Sequence, residues 1–149
     1  MKLLRNSVMV LMLAALGTIW SCGGDDPSPL GILERLSGTW TIDAAFENGS
    51  PASFDTSGFS ITFNEDGTYS VVTGSLPVEY KPNYASSSNS GNFALGSGDS
   101  EIIFDSNSAA AVGISKLQPT DETQPLTSMT VSFELDDKNN TSITFALVK

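Results

Sequence analysis

The chain has 149 residues, the length of one ordinary domain, with 17 acidic residues against 7 basic ones, a formal charge of −10, no histidine and a single cysteine. These counts exclude histidine acid/base chemistry, Ser-His-Asp and Cys-His nucleophiles, His-bearing metal sites and any disulfide within the chain. The acidic balance also opposes binding to a nucleic-acid backbone, which needs Lys and Arg against phosphate.

Lys2 and Arg5 give a basic start, and Val8 to Trp20 is an apolar run of 13 residues. A helix of that length rises only ~20 Å, short of a ~30 Å hydrocarbon core, so the pattern predicts a secretory leader rather than a lasting membrane span. The run ends in Ile19-Trp20-Ser21-Cys22, with an aliphatic residue three places before the lone cysteine and a small residue just before it. This resembles the lipobox of bacterial lipoproteins. The resemblance implies cleavage between Ser21 and Cys22 and acylation of Cys22, so residues 1–21 are expected to be a signal peptide. Each buried CH₂ contributes ~0.8 kcal/mol and one acyl chain holds only marginally, so two or three chains on one residue would anchor a domain almost permanently.

Gly23-Gly24-Asp25-Asp26-Pro27-Ser28-Pro29 has no apolar face and predicts a tether, so residues 22–29 are expected to be the lipidated cysteine and a flexible linker. The acidic pair after the cysteine resembles the surface-export signals of Bacteroidota lipoproteins, and Gly23 does not match the inner-membrane retention signal of enteric bacteria. The expected location is the outer membrane, facing the periplasm or the cell surface. Without its leader the chain would hold 17 acidic and 5 basic residues, a charge of −12, and would be repelled by anionic lipid unless covalently held there.

Residues 30–149 predict one all-β domain. Pro29 to Ser37 reads first as a short helix, with Leu30, Ile32, Leu33 and Leu36 at helical spacing and Gly38 as its stop. This stripe suits a lid on a core better than a membrane-lying helix, since only Arg35 is basic. Thr39 to Ala44 predicts the first strand. Phe59, Ile61 and Phe63 alternate with polar residues, Glu65-Asp66-Gly67 supplies a turn, and Thr68 to Thr73 returns, which predicts a hairpin. Gly91 to Leu95 and Glu101 to Asp105 predict a second pair, and Ala110 to Leu117 a further strand. Met129, Val131, Phe133 and Leu135 alternate up to an Asp136–Asn140 turn, and Ile143, Phe145 and Leu147 alternate beyond it. A slip of one residue in either firm hairpin would turn its Phe side chains outward, so register is well specified. Lys81 to Ser90 and Gln118 to Ser128 predict long surface loops. All eight Phe residues and Trp40 fall in this domain, enough apolar area for a core without a disulfide. Strands in meander order hide their edges best by closing into a barrel of about eight strands, with a two-sheet β-sandwich as the alternative.

Leu36-Ser37-Gly38-Thr39-Trp40, after a short helix and at the start of the first strand, resembles the Gly-x-Trp signature of lipocalins. The segments 58–69, 91–93 and 127–133 follow the landmark order of the lipocalin-like lipoproteins of the Bacteroidota. The resemblance spans about Leu30 to Lys149 and implies an antiparallel lipocalin-like barrel with Trp40 packed at its closed end. No Thr-Asp-Tyr motif accompanies it, and no arginine near the C-terminus is placed to stack on Trp40.

No residue set selects a catalytic site. Gly96-Ser97-Gly98 lacks the helix and Lys of a phosphate loop. Asn64-Glu65-Asp66 and the 136–140 acids offer oxygens for calcium, but Asp and Asn are wanted in such turns for backbone reasons. Carboxylate pairs that could serve a glycosidase arise by chance among so many acids. Tyr80 and Tyr84 flank the Pro82 loop and are candidate ligand or partner contacts, or pins for that loop. No cofactor and no metal are implied. The expectation is a lipid-anchored, non-catalytic interaction module of the cell envelope, meeting the membrane through Cys22, with other envelope proteins, glycan or a small apolar ligand as candidate partners. The first alternative is a lipocalin-like carrier of a small apolar ligand, and a glycan-active enzyme comes last.

Overall fold

A computed structural model of the protein describes residues 29–83, 88–106, 111–135 and 140–149. The expected leader, the Ser21/Cys22 cleavage and lipidation site, and Tyr84 lie outside the described residues. One short helix, α1 (Ile32–Leu36), is followed by β1 (Gly38–Glu47), β2 (Ser50–Pro51), β3 (Ser60–Phe63), β4 (Thr68–Val72), β5 (Ser90–Leu95), β6 (Glu101–Phe104), β7 (Ala111–Gln118), β8 (Ser128–Glu134) and β9 (Ser142–Val148).

From β3 to β9 each strand pairs antiparallel with the next. β1 completes the ring. Gly38–Thr41 pairs with Phe63–Ser60, and Thr41–Glu47 pairs with Val148–Ile143. The register on β9 shifts between Ile42 and Ala44. An extra residue at that point bends a strand and raises its twist, which lets one long strand serve two neighbours. β2 is a two-residue return on the end of β1. The protein is therefore an all-β antiparallel meander closed into an eight-stranded, lipocalin-like barrel with a short N-terminal helix. The sandwich alternative is overturned by the β1–β9 pairing, because a closed ring has no sheet edges to protect.

The two firm hairpins form in the expected register. Ile61 faces Val71 and Phe63 faces Tyr69 in β3–β4; Met129 faces Leu147, Val131 faces Phe145 and Phe133 faces Ile143 in β8–β9. These side chains are buried and alternate with outward polar ones, so the period-2 pattern alone sets the inner face. Gly67 takes the expected positive φ of 80° in the β3–β4 turn. Trp40, Ile102, Phe104, Val112 and Ile114 join the same core.

Three expectations need correction. The helix is shorter than Pro29 to Ser37, because Gly31 is extended (φ −61°, ψ 147°) and caps it there, while the Leu30 N–H donates to Glu122 O. β1 runs on to Glu47, held by β9, a partner remote in sequence. The two long loops are not merely superficial. Lys81, Pro82 and Asn83 are buried at one end of the barrel, and Leu126 is wholly buried at the other. Each loop carries the side chains that plug its end.

Candidate binding site at the loop end of the barrel

Strand direction sorts the connections into two groups. α1, the β3–β4 and β5–β6 turns and the 119–127 loop share the end where β1 begins. Residues 48–59, 73–83, 88–89, 105–106, 135 and 140–141 share the opposite end.

The α1 end is closed. Arg35 turns inward and donates from Nη2 to Pro119 O (2.6 Å) and Asp121 O (3.3 Å), and from Nε to Gln124 O (3.1 Å). Its own carbonyl accepts from Leu126 N (3.0 Å) and from Lys149 Nζ (3.0 Å). Leu36 and Leu126 fill the space beneath. Trp40 packs at this end, wholly buried, and its Nε1–H donates to Leu36 O (2.8 Å). Lys149 Nζ lies 4.8 Å from the centroid of the Trp40 ring. A cation does stack on Trp40, then, although no arginine is present to do so. Burial holds the Lys149 ammonium below the ordinary lysine value. The sequence signal for this contact was only a basic residue just past the last strand.

The loop end is also filled, but by aromatic rings. Tyr80 stacks on Phe54 with centroids 4.2 Å apart and planes 13° from parallel. Phe54 meets Phe145 edge-on at 6.3 Å, and Phe145 in turn meets Phe133 at 5.8 Å and Phe59 at 6.5 Å. Phe54 and Tyr80 are each half-buried, so the pair lies over Phe145 and still presents ring surface to solvent. Of the two candidate tyrosines, Tyr80 thus sits at this mouth and pins its loop. Phe54, an isolated apolar residue in a polar stretch, escaped the sequence reading because strand periodicity does not reach it. Val72 and Val78, the exposed large apolar side chains among the described residues, belong to the same end by topology.

The two loops that carry the stacked rings are fastened together. Ser75 N–H donates to Ser57 O (2.8 Å), and the Ser57 and Ser75 hydroxyls lie 3.3 Å apart. Gly74, at φ +58°, lies so close to the Ser57–Phe59 backbone that a Cβ there would collide with it. Only glycine meets both demands.

A polar network joins the inward-facing Tyr69 hydroxyl and buried Asn83 and Lys81 to exposed residues of neighbouring segments. The Tyr69 hydroxyl donates to Asp105 Oδ2 (2.7 Å), and Asp105 Oδ1 accepts from Asn92 N–H (3.0 Å). The Asp105 carboxylate crosses over Gly91, where any Cβ would strike it. Asn83 Nδ2 donates to Ser88 O (3.0 Å) and lies 3.4 Å from the Tyr69 oxygen, while Lys81 Nζ donates to Asn89 Oδ1 (3.0 Å). Asn83 is wholly buried, and its Oδ1 has no hydrogen-bond partner among the described residues. Such an acceptor costs ~1–3 kcal/mol unless a donor reaches it.

Two clefts among the described residues lie elsewhere. An open groove of about 510 Å³ runs along the outer wall between the β1 and β7 irregularities, lined by Asp43, Lys116, Gln118 and residues of β8 and β9. A second, of about 340 Å³, sits by α1 and includes Arg35, Asp99 and Glu122. Among the described residues no group of three or more Asp, Glu, Cys or His is placed to hold a metal ion. Asp66, in one of the two oxygen-rich turns, instead accepts from the Thr68 N–H (2.9 Å) and hydroxyl (2.6 Å).

No protein-family model matches the chain, and neither a curated protein nor a solved structure matches it.

Proposed function

We propose that the protein is a lipid-anchored component of the bacterial outer membrane whose barrel acts as a non-catalytic interaction module, with the loop end as its binding face. One observation carries the choice over the carrier alternative. The inward positions of the ring hold large side chains in mutual contact, and the Phe54–Tyr80 stack sits against Phe145 at the loop end. A carrier of apolar ligands keeps that space for its ligand. The half-buried rings, with Val72 and Val78 exposed at the same end, supply the kind of apolar surface that partners recognise. The anchor rests on the Ser21-Cys22 lipobox resemblance; no described helix is long and apolar enough to cross a bilayer.

Two experiments test the two halves of the proposal. Radiolabelled palmitate should enter the protein in cells, and Cys22→Ala should abolish both labelling and membrane retention. Labelling that survives the substitution refutes the anchor. For the binding face, photo-crosslinkers placed at Val78 should trap a discrete partner in intact cells, and Val72→Asp should reduce that product. Equal trapping from a probe at Glu65, at the opposite end, would contradict the assignment.

A further inference from the structure

The proposed lipid and the barrel are joined at a definite end. The Leu30 N–H donates to Glu122 O, α1 follows at once, and Arg35 locks α1 to the 119–124 carbonyls. Whatever path residues 22–29 take, the chain enters the barrel at its closed end. From Cys22 to Leu30 the chain can span at most ~29 Å. A strand of seven residues, such as β8 or β9, rises ~23 Å, or ~18 Å along the axis of a tilted barrel.

We infer that the domain hangs from the bilayer by its closed end, so that the Phe54/Tyr80 mouth is the face turned away from the membrane. The inference rests on the proposed acylation of Cys22.

Charge at the closed end sets how near the domain comes to lipid. Glu34, Glu65, Asp66, Asp99, Glu101, Asp121 and Glu122 are all exposed there. Of the cations in that half, Arg35 is turned in on loop carbonyls and Lys149 is folded over Trp40, which leaves Lys116 on the outer wall. An anionic leaflet therefore repels this end, and the closed end stands off within the reach of the tether. Salt shortens the Debye length from ~30 Å at 0.01 M to ~8 Å at 0.15 M, so the stand-off relaxes as ionic strength rises.

The test uses the mature, acylated full chain in phosphatidylcholine vesicles that carry a lipid-borne quencher, with or without phosphatidylglycerol. A fluorophore is attached at Glu65→Cys in one variant and at Ser53→Cys in another. Quenching should be stronger from position 65 on both vesicle types, reflecting a height difference of ~15–20 Å. Phosphatidylglycerol should weaken quenching at position 65 at low salt, and added salt should restore it. Equal quenching at the two positions, or stronger quenching at position 53, overturns the orientation. Insensitivity to phosphatidylglycerol and salt overturns the stand-off. If the acylated preparation does not float with vesicles, or floats equally well as Cys22→Ala, the anchor itself is wrong and the orientation falls with it.

Discussion

Asp55, Asp66 and Asp121 stand in three different turns and make the same bond. Each carboxylate accepts the backbone N–H two residues ahead, from Ser57 (2.8 Å), Thr68 (2.9 Å) and Thr123 (2.9 Å). Those bonds favour the charged form and hold all three carboxyls below their ordinary value of 3.8. The leading cause is the Ser57 N–H for Asp55, the Thr68 hydroxyl for Asp66 and the Thr123 N–H for Asp121. A carboxyl whose pKa is lowered by folding contributes fully above its unfolded value and loses that contribution as pH falls through the folded one. The stability gap between wild type and an Asp55→Ala/Asp66→Ala/Asp121→Ala variant should therefore be widest at neutral pH. It should shrink as pH falls from 3.8 towards the lowered values, read as urea midpoints; a gap constant with pH contradicts the turn geometry. Two further residues carry separable effects. Lys149→Met removes the cation over Trp40 and should cost ~0.5–1 kcal/mol, with a shift in Trp40 emission. Tyr69→Phe removes the part-buried hydroxyl donor to the Asp105 carboxylate and should cost ~1.5–3 kcal/mol in the same denaturation assay.

At the scale of elements, the sequence was most legible where contacts are local. The β3–β4 and β8–β9 hairpins follow from alternation alone, since one wrong step would turn Phe63 or Phe145 to solvent. Loops were least legible, because their buried residues answer to partners far along the chain. Leu126 is buried because Arg35, 91 positions earlier, accepts its N–H. Lys81-Pro82-Asn83 carries a charge, a proline and an amide, the composition of an exposed loop, yet it is buried beside Tyr69 and Asn89. The site suffered the same fate. Tyr80 was legible as a candidate contact, but its partner Phe54 was not, since nothing between them is periodic. Leu126→Ala should cost ~2–5 kcal/mol, as a core residue does, where a surface-loop position would cost under ~0.5 kcal/mol. Gly74→Ala should destabilise the protein and loosen the 52–59 segment, seen as faster amide exchange at Ser75, because its Cβ meets the Ser57–Phe59 backbone.

For the whole molecule, closure is the property that no single segment announces. Hairpins were foreseeable one by one, whereas the β1–β9 pairing joins residues about a hundred positions apart and depends on the bend near Asp43. That pairing converts a meander with two open edges into a ring, and the ring's interior is then filled from all eight strands. A protein built this way has its two ends left for function. The α1 end is tied shut by Arg35 and Trp40, and the other end offers aromatic surface on fastened loops. Phe145, at the meeting of four rings, should behave as a keystone of that filling, and Phe145→Ala should cost ~3–5 kcal/mol.

Trp40 is the one tryptophan in residues 30–149, so the fluorescence of that domain reports directly on the barrel interior. The decisive measurement is a titration of the domain with long-chain fatty acid and with a neutral apolar dye, followed through Trp40 emission and dye fluorescence. A filled barrel that works through its loops predicts no saturable change with either. A saturable one-to-one response, lost when the mouth is altered by Phe54→Ala, would show a carrier's cavity and contradict the account.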